Sequence, residues 1–213
     1  MSRIGRGNRQ FRSAVTKSSP ERDGRTTRFE ARRPELLTQA TEHLLEHGVA
    51  AFSLRPVAKA LGVTHATLLR HFTSKEQLLV EVAELARAEL QEKLQADPDL
   101  QAASGAEEVV RATWRILRTP REVRRIAVLL ELANAHPADE TQRRSIASEL
   151  IADWIAEMQE VLIADGYSKE QSVSIGTLLV GLAHGLQIDL AITGDTERID
   201  AAFESGVPRI LSR

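Results

Sequence analysis

The chain has 213 residues, 42% hydrophobic and only 4% aromatic, with a formal net charge of −2. That length suits a small domain joined to a larger one and can bury a sizeable core. It has no cysteine, so disulfides, thiol nucleophiles and cysteine metal sites are excluded.

The near-neutral total hides an asymmetry. Residues 1–33 hold ten Arg and Lys against three Asp and Glu, a net of +7, which leaves eighteen against twenty-seven, −9, for the remainder. The arm has almost no large apolar residues, so 1–33 is expected to be disordered in isolation. Its place just before the first helix would let it follow phosphates or enter a minor groove; a plain solvated tail is the alternative. The start is arginine-rich without an apolar stretch, so no secretory signal is expected. The richest apolar run, 175–192, is interrupted by His184, Gln187 and Asp189 and reads as too broken to span a bilayer. A cytoplasmic protein with no membrane partner is expected.

Pro34 opens a helix that Gly48 closes after His47. Inside it, His43-Leu-Leu-Glu46-His47 matches the H-x-x-E-H pattern of inverted zinc proteases. Five residues are a short pattern, and both histidines flank an apolar stripe of Leu37, Ala40 and Leu44, so packing accounts for them and no metal is expected.

Residues 53–75 read as two short helices joined by a tight turn, a helix-turn-helix whose second helix fits the DNA major groove. Ser53 stands where it would cap the first helix, and Pro56 falls in its first turn. Val57, Ala58 and Leu61 form its inner face. Gly62 occupies the sharp turn, which favours a residue free to take positive φ, and Thr64 caps the second helix. Leu68 and Phe72, four apart, share its buried face, while Ala66 and Arg70 point the other way.

Residues 36–79 resemble the DNA-binding domain of TetR-type transcriptional repressors. The likeness is carried by Leu36-Leu37, Ala40, Gly48, Ser53-Leu54-Arg55, Ala58, Gly62-Val63-Thr64, Thr67-Leu68, His71-Phe72, Ser74-Lys75-Glu76 and Leu78-Leu79. Leu69 stands where the family usually has a phosphate-touching Tyr, and Ala66 where Gly is common. The resemblance implies that Arg55, His65, Ala66 and Arg70 reach base edges, with Arg70 suited to guanine through its two-pronged fork. It implies that Ser53, Thr64, Thr67, His71 and Lys75 hold phosphates, fixing register without reading sequence.

Ser74-Lys-Glu-Gln77 reads as a capping box opening a helix of about 74–95 that leaves the first domain and that Asp97-Pro98 stops. Ser104-Gly-Ala-Glu107 and Thr119-Pro-Arg-Glu122 read as boxes opening helices of 105–118 and 120–135. Pro137 opens a helix to 164, and 168–194 is a helix nearly apolar all round in its second half. The last helix, 196–211, is expected to be irregular near Gly206 and Pro208. The chain is therefore expected to be all-α, with about nine helices: an arm (1–33), a DNA-binding domain (34–80) and a helical regulatory domain (81–213).

In the resembled family the last two helices pair with those of a second subunit. That implies a homodimer here, with Leu178, Gly181, Leu182, Gly185, Asp189, Ile192 and Phe203 at its interface. The family also implies a pocket for an unidentified small-molecule effector; Trp114, Leu117, Leu130, Asn134, Trp154 and Met158 are its candidate liners, with ordinary core as the alternative for each. His184, Gln187 and Asp189 would either line that pocket or bond across the dimer. The function expected is a ligand-released repressor on a palindromic double-stranded operator, without cofactor. A DNA-binding protein without an effector is the first alternative. A helical enzyme is the second, though no phosphate-binding glycine loop or nucleophile elbow is present.

Overall fold

The computed structural model describes residues 30–135 and 140–212, with side chains from 30–133 and 151–212. Ten helices and no strand occur among the described residues. They are α1 Arg33–His47, α2 Leu54–Ala60, α3 His65–Phe72, α4 Lys75–Gln95, α5 Pro98–Ala102, α6 Ala106–Leu117, α7 Pro120–Ala135, α8 Glu140–Ala164, α9 Lys169–Thr193 and α10 Thr196–Ile210. The helix beyond the nine expected is α5. Asp97-Pro98 ends α4 as anticipated and also starts α5: Pro98 sits in its first turn, and Asp97 Oδ1 accepts from the amides of Asp99 and Leu100 at 3.1 Å each. Residues 1–29, and with them most of the basic arm, lie outside the described residues.

The first three helices form around one apolar centre. Leu36, Ala40 and Leu44 of α1 meet Val57, Ala58, Leu68 and Phe72, all buried in one cluster. Gly62 takes φ +66 in the turn, and the amide of Val63 donates to Ala58 O at 2.9 Å. Thr64 Oγ1 accepts from Thr67 N at 3.1 Å, capping α3 as expected. Ser53 stands at the N-cap of α2 but makes no side-chain cap bond; the backbone enters that helix without it.

Arg33, counted with the arm, has its place in the first helix. It is the first residue of α1, pairs with Glu81 of α4 at 2.6 Å, donates to His71 O at 3.2 Å, and lies 5.0 Å from the centre of the Phe72 ring. One arginine counted with the arm thus fastens α1 to the end of α3 and to α4.

Leu78, Leu79, Val82 and Ala83 place the first half of α4 in that same cluster, and Ile126, Val128, Leu129 and Leu132 of α7 join it. Further along, Leu90 packs on a second cluster formed by Val110, Trp114, Leu117, Leu179, Ile199, Phe203 and Val207. A single helix therefore has one end in each core, and a division at residue 80 or 81 falls inside it.

The caps differ from the expected boxes. Ser74 accepts from Gln77 N at 3.1 Å, but the Gln77 side chain turns to Glu81, leaving half a box. At α6 the N-cap is Gly105, and Ser104 bonds Glu108 instead. At α7 the Thr119 hydroxyl donates back to Ile116 O, and Glu122 turns inward. A complete box stands at α9, between Ser168 and Gln171. Helix α10 runs unbroken through Gly206 and Pro208, against the irregularity expected there. By length and composition alone α9 could cross a membrane, which revises the reading of that run as too broken. It packs against α8 and α10 on one side, with Gln187 and Ser172 buried, and leaves the other side open.

Because Leu68 is wholly buried under α1 and α2, replacing it by Ala should destabilise the protein by about 2–5 kcal/mol. Urea unfolding followed by circular dichroism measures this, and a loss under about 1 kcal/mol would mean the reader helix is held by something other than its buried face.

Candidate nucleic-acid interface and enclosed pocket

Seating Leu68 and Phe72 inward turns the opposite face of α3 to solvent. Ser53, Arg55, Thr64, His65, Ala66 and Arg70 are all exposed, and Thr67 and Lys75 are half-buried. Thr67 Oγ1 lies 2.9 Å from Thr64 Oγ1, so the two hydroxyls sit together at the head of the helix. Lys59, four residues after Arg55 and also exposed, shares its face of α2. The spacing alone could have singled it out.

His71 is different. It is 7% exposed, packed beside Phe72 with ring centres 6.1 Å apart, so its ring is placed to support the helix rather than to hold a phosphate. Burial pushes its pKa down, and the positive charges of Arg33, Arg70 and Arg32 add to that. The helix ends at Thr73, which takes φ +51, a conformation unusual for a β-branched residue that no sequence pattern announced. In α1, the His43 and His47 rings stack at 4.2 Å and His47 Nδ1 lies 3.0 Å from His43 O. Among the described residues no group of three or more His, Asp or Glu suited to a metal occurs.

A pocket opens between α4, α6, α7, α8, α9 and α10, with about 790 Å³ of empty space including its mouth. Four of the six expected liners are on its wall: Trp114, Leu117, Trp154 and Met158. Leu130 is not, since it packs on the N-terminal cluster instead, and the Asn134 side chain lies outside the described residues. The polar part of the wall was mostly missed: Arg87, Thr113, Glu122 and Arg125 line it, together with His184 and Gln187. Gln187 is buried and donates to Leu117 O at 2.8 Å. His184 has its pKa lowered by burial.

Two of these charges are nearly inaccessible, Glu122 at 1% and Arg125 at 3% exposure. Charges so buried persist only when paired. Arg125 Nε lies 2.7 Å from Glu122 Oε2, Lys93 Nζ lies 3.2 Å from Glu122 Oε1, and Arg125 also donates to the backbone oxygen of Ala86 and approaches Glu89 at 3.4 Å. One turn back on α7, Arg121 pairs with Glu42 of α1 at 2.8 Å and with Glu89 at 3.4 Å; the Arg121 bond holds the Glu42 carboxyl below its ordinary pKa. Across α4, Arg87 pairs with Asp153 at 3.2 Å and Gln91 donates to Glu157 at 3.2 Å. Burial, with Asp153 nearby, raises the Glu157 pKa. A continuous set of ion pairs thus joins the pocket wall, α4 and α1.

Of the residues expected at a dimer interface, Phe203 belongs to the core: it is buried and stacks on Trp114 at 4.8 Å with ring planes 12° apart. Leu182 is half-buried and packs against the second cluster. Asp189 pairs with Arg198 of the same chain at 2.7 Å, and Arg198 holds its carboxyl below the ordinary pKa. Leu178, Gly181, Gly185 and Ile192 do lie on the open side of α9, joined there by Val173 and Ile188. Ile192 is 78% exposed, and a Cβ added at either glycine would meet nothing within 4 Å.

Residues 36–82 match the family model of bacterial regulatory proteins of the tetR family. No curated protein sequence matches the chain. Among solved structures, the fold is similar to a transcriptional regulator from Rhodococcus sp. Rha1 (TM-score 0.71, 18% identity, covering 84% of this chain and 95% of that one). It is similar to a TetR transcriptional regulator from Legionella pneumophila (0.66, 19%, 83% and 95%). A Saccharomonospora viridis structure solved in complex with choline shares it too (0.68, 18%, 83% and 97%).

The depressed pKa of His71 has a consequence for stability. The unfolded chain takes up a proton near pH 6.5, whereas the folded chain resists it to lower pH. The His71 contribution is therefore complete above pH 6.5 and is lost as pH falls through that value to the folded pKa. Chemical unfolding at pH 5.5 and 7.5 should show the wild type weaker at the lower pH, and His71→Gln should reduce that difference. An unchanged difference would assign the pH dependence elsewhere.

Proposed function

We propose that the chain, whose residues 36–82 match the TetR-family model and whose fold is that of solved transcriptional regulators, is a ligand-responsive transcriptional repressor. It binds a palindromic operator as a homodimer, and a small molecule in the pocket between α4 and α6–α10 releases it. The observation that carries this reading is the two-sided α3: Leu68 and Phe72 anchor it while His65, Ala66 and Arg70 stand clear of the body. A small residue beside an arginine on the outer face suits close approach to base edges. Arg70, with Arg55, His65 and Ala66, reads bases; Ser53, Thr64, Thr67 and Lys75 hold phosphates. Such a protein works in the cytoplasm, where its DNA is, and no catalysis is involved.

The homodimer rests on the open side of α9. Leu178, Ile188 and Ile192 are large apolar residues left exposed on one helix, with Gly181 and Gly185 between them. Small residues amid apolar ones let a second helix come close, and one helix-turn-helix reads only a few base pairs, so two copies are needed for a half-site pair. The regulatory step rests on α4. Its start belongs to the DNA-binding core, and its middle accepts from Arg125 of α7 and, through its own Arg87, pairs with Asp153 of α8. A ligand acts only to the extent that it favours the arrangement unable to bind DNA, and the ion pairs along α4 are what two such arrangements would make differently.

Replacing Arg70 by Ala should cost on the order of 1–3 kcal/mol on the operator and relax its specificity at one base, whereas Lys75→Ala should weaken operator and random DNA alike. Gel-shift titrations on both DNAs test this; equal losses for both variants on both DNAs would contradict the assignment. Arg121→Gln, which breaks the tie to Glu42, should leave operator affinity nearly intact and shrink ligand-driven release by a factor on the order of 2–30. Full release by the variant would remove this ion pair from the route.

A further inference from the structure

The pocket wall carries its own charge balance. Glu122 is met by Arg125 and Lys93, Arg125 also by Glu89 and the Ala86 carbonyl, and Arg87 by Asp153. Among the described lining residues every charge has an ion-pair partner, so an ionic ligand would find no counter-charge reserved for it there, and an unpaired charge in such a setting is disfavoured strongly. His184, the remaining titratable residue among the described liners, is held toward its neutral form by burial. Apart from Thr113 and Gln187 the rest of the described lining is apolar, and its flat element is the Trp114 ring stacked on Phe203 at 4.8 Å, with Trp154 and Met158 also on the wall. Aromatic faces and a thioether favour another flat ring, while Thr113, His184 and the Gln187 amide offer neutral hydrogen-bonding groups.

We infer that the effector is an uncharged, flat aromatic molecule carrying a neutral polar group, and that the paired charges of the wall select against both organic cations and carboxylates. This rests on reading the pocket as the effector site and adds the chemical class it accepts. It separates this chain from its choline-bound structural neighbour, whose ligand is a cation.

The chain's two tryptophans, Trp114 and Trp154, both line the pocket, so their fluorescence reports occupancy directly. Full-length protein is titrated at pH 7 with 4-nitrobenzyl alcohol, 4-nitrobenzoate and 4-nitrobenzylammonium, nearly equal in shape and each a contact quencher. The alcohol is expected to quench saturably and bind at least about tenfold more tightly than either ion, a difference of about 1.4 kcal/mol. An ion that binds as tightly as the alcohol, or saturable quenching by none of the three, overturns the inference. Glu122→Gln removes the wall's carboxylate and leaves Lys93 and Arg125 in excess, so its preference should move toward 4-nitrobenzoate. An unchanged preference in the folded variant contradicts the charge-balance basis, and should the variant not fold, the wild-type series decides alone. Operator release is scored separately. A bound alcohol that leaves DNA binding untouched refutes the regulatory reading but not the ligand class; a nitrobenzoate that binds tightest and releases DNA does the reverse.

Discussion

Arg125 is the constraint on which the rest depends. A guanidinium almost without solvent needs charge partners, and this one pairs with Glu122 of its own helix and with Glu89 and donates to the Ala86 backbone of α4, while its Nε, 2.7 Å from Glu122 Oε2, makes no hydrogen bond. Those partners fix the distance and register of α4 against α7. Because the start of α4 carries Leu78, Leu79, Val82 and Ala83 into the DNA-binding core, the same bonds set where α3 points relative to the pocket. Removing one partner would leave a buried charge exposed to an apolar wall, so the arrangement has few intermediate positions. Packed interfaces of this kind change between discrete states rather than by gradual drift.

The two ends of α4 are held differently. At its start Arg33 ties it to α1 and to the end of α3 with a carboxylate pair, a backbone bond and a ring contact, making the reading head rigid. Along its middle the buried Arg125 holds it to α7, while its ties to Arg121 and to α8 are partly exposed ion pairs and one amide bond. Exposed pairs contribute little to stability, which is what a movable contact requires. A rigid head on an adjustable stalk is consistent with a ligand that changes the spacing of two heads without unfolding either.

The DNA-binding part was legible because its signals are local. A turn glycine, a threonine cap and apolar residues four apart specify α2 and α3 without help from the rest of the chain, and Gly62, Thr64, Leu68 and Phe72 sit as that pattern requires. The pocket was legible only in its apolar half. Helical spacing marks Trp114, Trp154 and Met158 as inward, but it marks Leu130 and Phe203 as well, and only packing shows that Leu130 faces the other core and Phe203 lies under Trp114. Glu122 was expected only as a capping-box residue and Arg125 was not singled out, because burial of a charge depends on partners distant in sequence. The expected capping boxes went wrong for a related reason. Gln77, Glu107 and Glu122 each found a side chain to bond, and that competition does not appear in a four-residue pattern.

The central claim is that this is a paired, sequence-specific reader of DNA. Hydroxyl-radical footprinting of the full-length protein on the intergenic DNA beside its own gene, at near-physiological salt, tests it most directly. The account predicts a protected, roughly palindromic site with two matched halves centred about one helical turn apart or a multiple of it. Diffuse protection that fades steeply with salt, or none at all, would contradict it.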